Sequence, residues 1–192
     1  MNTTKKQFRV TVLLGIIFSI AFISCSSEKN ESIEISTEEM LEKVEYLVIT
    51  SREHTDENVD YPTTPPAGGD HLGIWHTCGI YKVELLDEAA VHALEHGAVW
   101  VTYKPEIEKE EIIKLTTMFS GKPKILLSPH SEQVSPIVAT SWGRRLEIKT
   151  TNDPRLNKFV DFFMDGKAAP EAGITCDRGI GRPPNDPYVL NR

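Results

Sequence analysis

A chain of 192 residues with 21 lysines and arginines against 28 aspartates and glutamates carries a formal net charge of −7. No basic cluster larger than Arg144-Arg145 is present, too little to track a phosphate backbone, so nucleic acid is excluded as a partner. The length suits one domain with one core and shows no internal repeat.

The first segment reads as an address. Lys5, Lys6 and Arg9 form a basic region before an apolar run from Val10 to Ile23, which is of signal-peptide length and short for a membrane span. It ends in Phe22-Ile23-Ser24-Cys25, which resembles a bacterial lipobox with Phe where Leu is usual. That resemblance implies cleavage after residue 24, acylation of Cys25 by palmitate-type chains, and a membrane anchor for a protein facing outside the cytoplasm. Loss of residues 1–24 removes three basic side chains and no acidic ones, taking the charge from −7 to −10. A polar tether is expected through residue 40, followed by one α+β domain over 41–178 and a flexible tail over 179–192.

Further along, Ser36-Thr-Glu-Glu39 has capping-box spacing ahead of a short helix, and Tyr46 to Thr50 reads as a strand. The stretch from Tyr61 to His71 holds three prolines and two glycines, so it is a long loop, stiff enough to be ordered and to deliver Asp70 and His71 to a fixed place. In Val91-His-Ala-Leu-Glu-His-Gly97, His92 and His96 stand four apart and leave one face of a helix that Gly97 ends. Strands follow over Ala98–Tyr103, Lys124–Ser128, Ile137–Trp142 and Leu146–Ile148. Helices are expected over Glu106–Phe119 and Pro154–Met164. Helices packed on one mixed or antiparallel sheet result.

Three cysteines are present. With Cys25 committed to lipid, Cys78 and Cys176 make an even pair, which in an oxidising compartment forms a disulfide. The competing reading makes Cys78, in His76-Thr-Cys78, a soft ligand for copper.

The succession of Val44-Glu-Tyr46, His54, Tyr61, Pro65-Pro66-Ala-Gly-Gly-Asp-His71, Gly79-Ile-Tyr81, Val91-His-Ala-Leu-Glu-His-Gly97 and Ala139-Thr-Ser-Trp-Gly-Arg144 resembles the family catalogued as domain of unknown function 3105. The likeness covers roughly residues 44–176. Where the family pattern leads one to expect Ser-Gly-Pro before the loop histidine, this chain has Gly68-Gly69-Asp70, which loosens the loop and adds a carboxylate. The resemblance implies no activity, but it singles out His54, His71, His92 and His96.

Those four histidines from three segments suit a zinc or copper ion. His71, His92 and His96 are expected to converge, with His54 close by and Glu95 orienting an imidazole. His76 is a weaker candidate, and His130 is expected on the solvated surface. The alternatives are a metal-dependent hydrolase using the His92-Ala-Leu-Glu95-His96 turn with Glu95 as general base, and an interaction module without metal. Protein partners are not legible. Neither a nucleophile elbow nor a phosphate-cradling loop is present.

Overall fold

Strict alternation along the central strands decides the layering. In β3 (Val99–Tyr103) and β4 (Ile125–Pro129), Val99, Val101, Tyr103, Ile125 and Leu127 point to one face of the sheet, while Trp100 and Leu126 point to the other. Both faces are apolar, so both must be covered. One is covered by α1 (Thr37–Leu41), α3 (Lys109–Phe119) and α4 (Arg155–Phe163), through Met40, Leu115, Phe119, Leu156, Phe159 and Val160. On the other lies α2 (Asp87–Glu95), with Ala90, Val91, Ala93 and Leu94.

The computed structural model describes residues 35–190; the expected signal peptide and Cys25 lie outside them. Among the described residues are four helices and eight strands, and no helix is long and apolar enough to cross a membrane. The strands β1 (Glu45–Tyr46), β2 (Gly79–Ile80), β5 (Ile137–Ser141) and β6 (Arg144–Ile148) complete a six-stranded sheet ordered β1-β6-β5-β3-β4-β2. Within it β2 and β3 flank β4 in parallel, and β5, β6 and β1 extend the sheet antiparallel. The fold is therefore a small α+β domain on a mixed sheet.

Three boundaries differ from the sequence reading. The domain begins before residue 41: Ser36 Oγ accepts from the Glu39 N–H at 3.1 Å, Glu39 Oε2 accepts from the Ser36 N–H at 2.7 Å, and Met40 is fully buried. The residues assigned to the end of the tether are thus a capped core helix. The strand expected over Tyr46–Thr50 pairs only through Tyr46. Beyond it Gly143 is engaged by the Leu47 N–H and the Ala67 carbonyl, and the chain leaves the sheet with Val48 exposed. Finally, the segment expected as a tail carries a hairpin, β7 (Ile180–Arg182) with β8 (Asp186–Leu190). Hydrogen bonds from Thr77 N–H to the Ile180 carbonyl and from Ile180 N–H to the Trp75 carbonyl, both 2.8 Å, hold it against the site loop.

His76 shows how that attachment is used. It is fully buried, and its Nε2 accepts the Leu86 N–H at 3.0 Å, so the start of α2, which lacks a side-chain cap of its own, is satisfied from another segment. Burial holds the imidazole down to about 4. Between pH 6.5 and 4 the unfolded chain therefore carries a proton here that the folded chain refuses, and stability falls as pH drops through that window. Going from pH 7.5 to pH 5 costs about 2 kcal/mol through this residue. Urea unfolding of His76→Gln, which keeps an acceptor near Nε2 but does not titrate, is expected to show an acid loss smaller by about that amount. An unchanged acid loss would remove His76 as the source.

Candidate metal centre

The Pro–Gly loop is the first positioning device. Pro65, Pro66, Ala67 and Gly68 are buried, and Gly68 and Gly69 take φ of 139° and 129°, values that favour glycine. A Cβ at Gly68 would also meet the Ile49 side chain at 3.0 Å. The loop ends at Asp70, whose carboxylate has a structural task. Asp70 Oδ1 accepts from the Ser51 hydroxyl and from the Glu53 N–H at 2.8 Å, while the Tyr61 hydroxyl donates to the Asp70 carbonyl at 2.7 Å. These bonds draw residues 51–55 alongside His71, where the Thr55 N–H donates to the His71 carbonyl (2.8 Å) and the His71 N–H to the Glu53 carbonyl (3.0 Å). The imidazoles of His54 and His71 are thereby brought to 5.0 Å between ring centres.

Helix α2 supplies the rest. His92 and Glu95, three apart, lie on one face and are both buried. The His92 ring stands 4.8 Å from that of His71 and 4.9 Å, stacked, from that of His54. One nitrogen or oxygen from each of His54, His71, His92 and Glu95 comes within 4.8 Å of all the others; His54 is exposed and the other three are buried. Tetrahedral donors at about 2.0–2.1 Å from one ion stand about 3.4 Å apart, so the widest pair has to close by up to about 1.4 Å, which rotation of exposed His54 and small side-chain torsions supply.

Tautomers follow from the partners. His71 Nδ1 lies 2.8 Å from the Gly69 carbonyl and His92 Nδ1 2.6 Å from the Leu72 carbonyl. A carbonyl only accepts, so each Nδ1 carries a proton, and Nε2 is the nitrogen left on each ring for a ligand. Metal-binding histidines are commonly oriented by such bonds to backbone carbonyls. His71 Nε2, wholly buried, lies 3.1 Å from Glu95 Oε2 but completes no hydrogen bond. A cation shared between the two atoms would satisfy both. Burial also keeps His92 neutral, its ring held down to about 4.

The structure brings together three of the four histidines singled out in the sequence and sets the fourth apart. His96 shares a helix face with His92, and their rings meet at 4.7 Å. Its Nδ1–H, however, goes to the Thr175 carbonyl at 3.0 Å, its Nε2 turns to Glu171 Oε2 at 3.5 Å, and Trp75 covers its ring at 4.7 Å. Glu95 takes the place expected of His96: instead of standing behind an imidazole, it joins the group directly. The hydrolase arrangement, with His92 and His96 on one ion and Glu95 free as base, is not the one the side chains adopt. Cys78 is joined to Cys176, with Cα atoms 5.4 Å apart, which takes it out of the ligand set. His130, expected in solvent, is buried with Nε2 3.2 Å from Asp87 Oδ1. Burial lowers its affinity for a proton, but Asp87, Glu84 and Glu132 outweigh that and raise it. Sequence reasoning passed over Arg52, whose Nη1 donates to Glu95 Oε1 at 3.0 Å. Its spacing of two from His54 was the available signal, because in an extended run such residues share a face.

Fold and site together define an α+β domain in which one helix and the irregular segment beside it carry a mostly buried group of three histidines and a glutamate. The chain belongs to the family described as protein of unknown function (DUF3105), which matches residues 53–178. No curated protein and no solved structure matches it.

Proposed function

We propose that this domain binds a transition metal ion, zinc or copper, through His54, His71, His92 and Glu95, and acts as a carrier, sensor or store outside the cytoplasm. The observation that carries the reading is the pair of buried imidazoles with Nδ1–H fixed on backbone carbonyls, grouped with His54 and with a buried carboxylate that lies 3.1 Å from His71 Nε2. Three nitrogens and one oxygen form a donor set suited to a tetrahedral ion. Exposed His54 gives the ion a way in from solvent, past the acidic side chains Glu53, Asp56, Glu57 and Asp60.

The lipobox resemblance supports anchoring through Cys25, and the Cys78–Cys176 bond is consistent with an oxidising compartment. In this reading the protein is held at the membrane of the cell envelope and faces the periplasm or the cell surface. The test uses the full chain extracted from membranes in detergent, stripped with chelator and titrated with zinc or with copper. One equivalent bound per chain is expected, and binding of neither ion ends the proposal. Mass spectrometry of the same material is expected to show an acylated N-terminal Cys25, and an unmodified Cys25 thiol rejects the anchor.

A further inference from the structure

We propose that Arg52 is a positioning residue that limits Glu95 to one oxygen on a bound ion, so that the site is built for four-coordinate metals. This rests on the metal reading above. Glu95 is 3% exposed, and its two oxygens have separate tasks: Oε1 accepts from Arg52 Nη1 at 3.0 Å, and Oε2 lies 3.1 Å from His71 Nε2 within the ligand group. A carboxylate bound through both oxygens would have to share Oε1 between the ion and the Arg52 guanidinium, two positive charges drawing on one oxygen, which weakens a charged hydrogen bond of the stronger kind. With Oε1 occupied, the donors are three nitrogens and one oxygen, the tetrahedral set that zinc accepts. Manganese, calcium and magnesium ask for about six oxygens and are disfavoured.

Placement supports the same role. Arg52 lies two residues before His54 on the segment that Asp70 ties down through Ser51 and Glu53. The Arg52–Glu95 contact therefore joins the segment that bears exposed His54 to the buried helix. The guanidinium is more than half exposed, so it acts from the rim without entering the donor set. It lies one residue before the span matched by the family.

Cobalt(II) is the probe, because four-coordinate cobalt absorbs visible light strongly and five-coordinate cobalt weakly. The full chain, stripped and loaded with cobalt, is expected to give the strong spectrum. Arg52→Ala is expected to bind cobalt with the weaker, five-coordinate spectrum and to lose about tenfold of the preference for zinc over manganese. Arg52→Lys, which keeps a charged donor, is expected to stay near the wild type. An Arg52→Ala spectrum identical to wild type overturns the positioning role and leaves the metal site standing, as does complete loss of cobalt from a variant whose urea midpoint is unchanged. If the alanine variant does not fold, Arg52→Gln is read in its place by the same criteria. Failure of the wild-type chain to take up cobalt, zinc or copper overturns the metal reading itself.

Discussion

Alanine at His71 or at His92 is expected to lower zinc affinity by about a hundredfold or more, while alanine at His96 leaves it within about threefold. Structural zinc sites with four protein donors are worth roughly 10–16 kcal/mol, so one donor in four carries about 3 kcal/mol, and each 1.4 kcal/mol is a factor of ten. His71 and His92 present Nε2 into the group with Nδ1–H already fixed, so nothing nearby replaces either. His96 spends its two nitrogens on Thr175 and Glu171. The measurement is competition against a chromophoric chelator at pH 7.5. Equal losses at His92 and His96 would return His96 to the ligand set and reject the geometry described above. Equal retention in all three variants would place the ion elsewhere.

The double variant Cys78→Ala/Cys176→Ala is expected to lose about 4 kcal/mol of unfolding free energy. The bond spans 98 residues, and the chain-entropy account assigns a loop of that length roughly 4–5 kcal/mol. Domains of this size commonly have a total of about 5–15 kcal/mol, so the loss takes from roughly a quarter to most of it. The covalent link works beside non-covalent ones: the Cys78 N–H donates to the Cys176 carbonyl at 3.0 Å, and the neighbouring Thr175 carbonyl holds His96. Urea unfolding of oxidised wild type against the variant gives the difference directly. A loss under about 1 kcal/mol would mean that the unfolded chain is little constrained by the bridge.

The central elements were legible because their periods are unambiguous. Val99 to Tyr103 alternates between two apolar layers, and Leu156, Phe159, Val160 and Phe163 fall on one helical face, so β3 and α4 lie within a residue or two of where the pattern puts them. The two-residue strands β1 and β2 have no period to read. The hairpin after Cys176 depends on partners a hundred residues earlier, at Trp75 and Thr77. At the site, spacing specifies a helix face but not which way a ring turns upon it. His96 faces the same side as His92, yet its ring is claimed by Thr175, 79 residues away in the chain. Glu95 was legible as a residue of the site but not as a direct member of the group, and Arg52 was passed over, for a related reason. A salt bridge between residues 43 apart leaves no local trace in sequence.

Residues 47–78 contain neither helix nor strand, only isolated bridges at His54–His71 and His76–Ile180. The sheet and its four helices contain nearly all of the regular ladder hydrogen bonds, so the molecule has two tiers of cooperativity. Amides in β3, β4 and β5 exchange with solvent only when the whole domain unfolds, whereas those around Ser51 to His71 exchange through a smaller, local opening. The disulfide and the buried His76 pin the end of this stretch nearest the sheet and leave the His54 end free to lift. In the proposed metal-binding role, the ion enters and leaves by a local opening of this stretch while the scaffold stays closed. Its release in that reading is governed by the few bonds made by Asp70 and Arg52 and not by the stability of the whole domain.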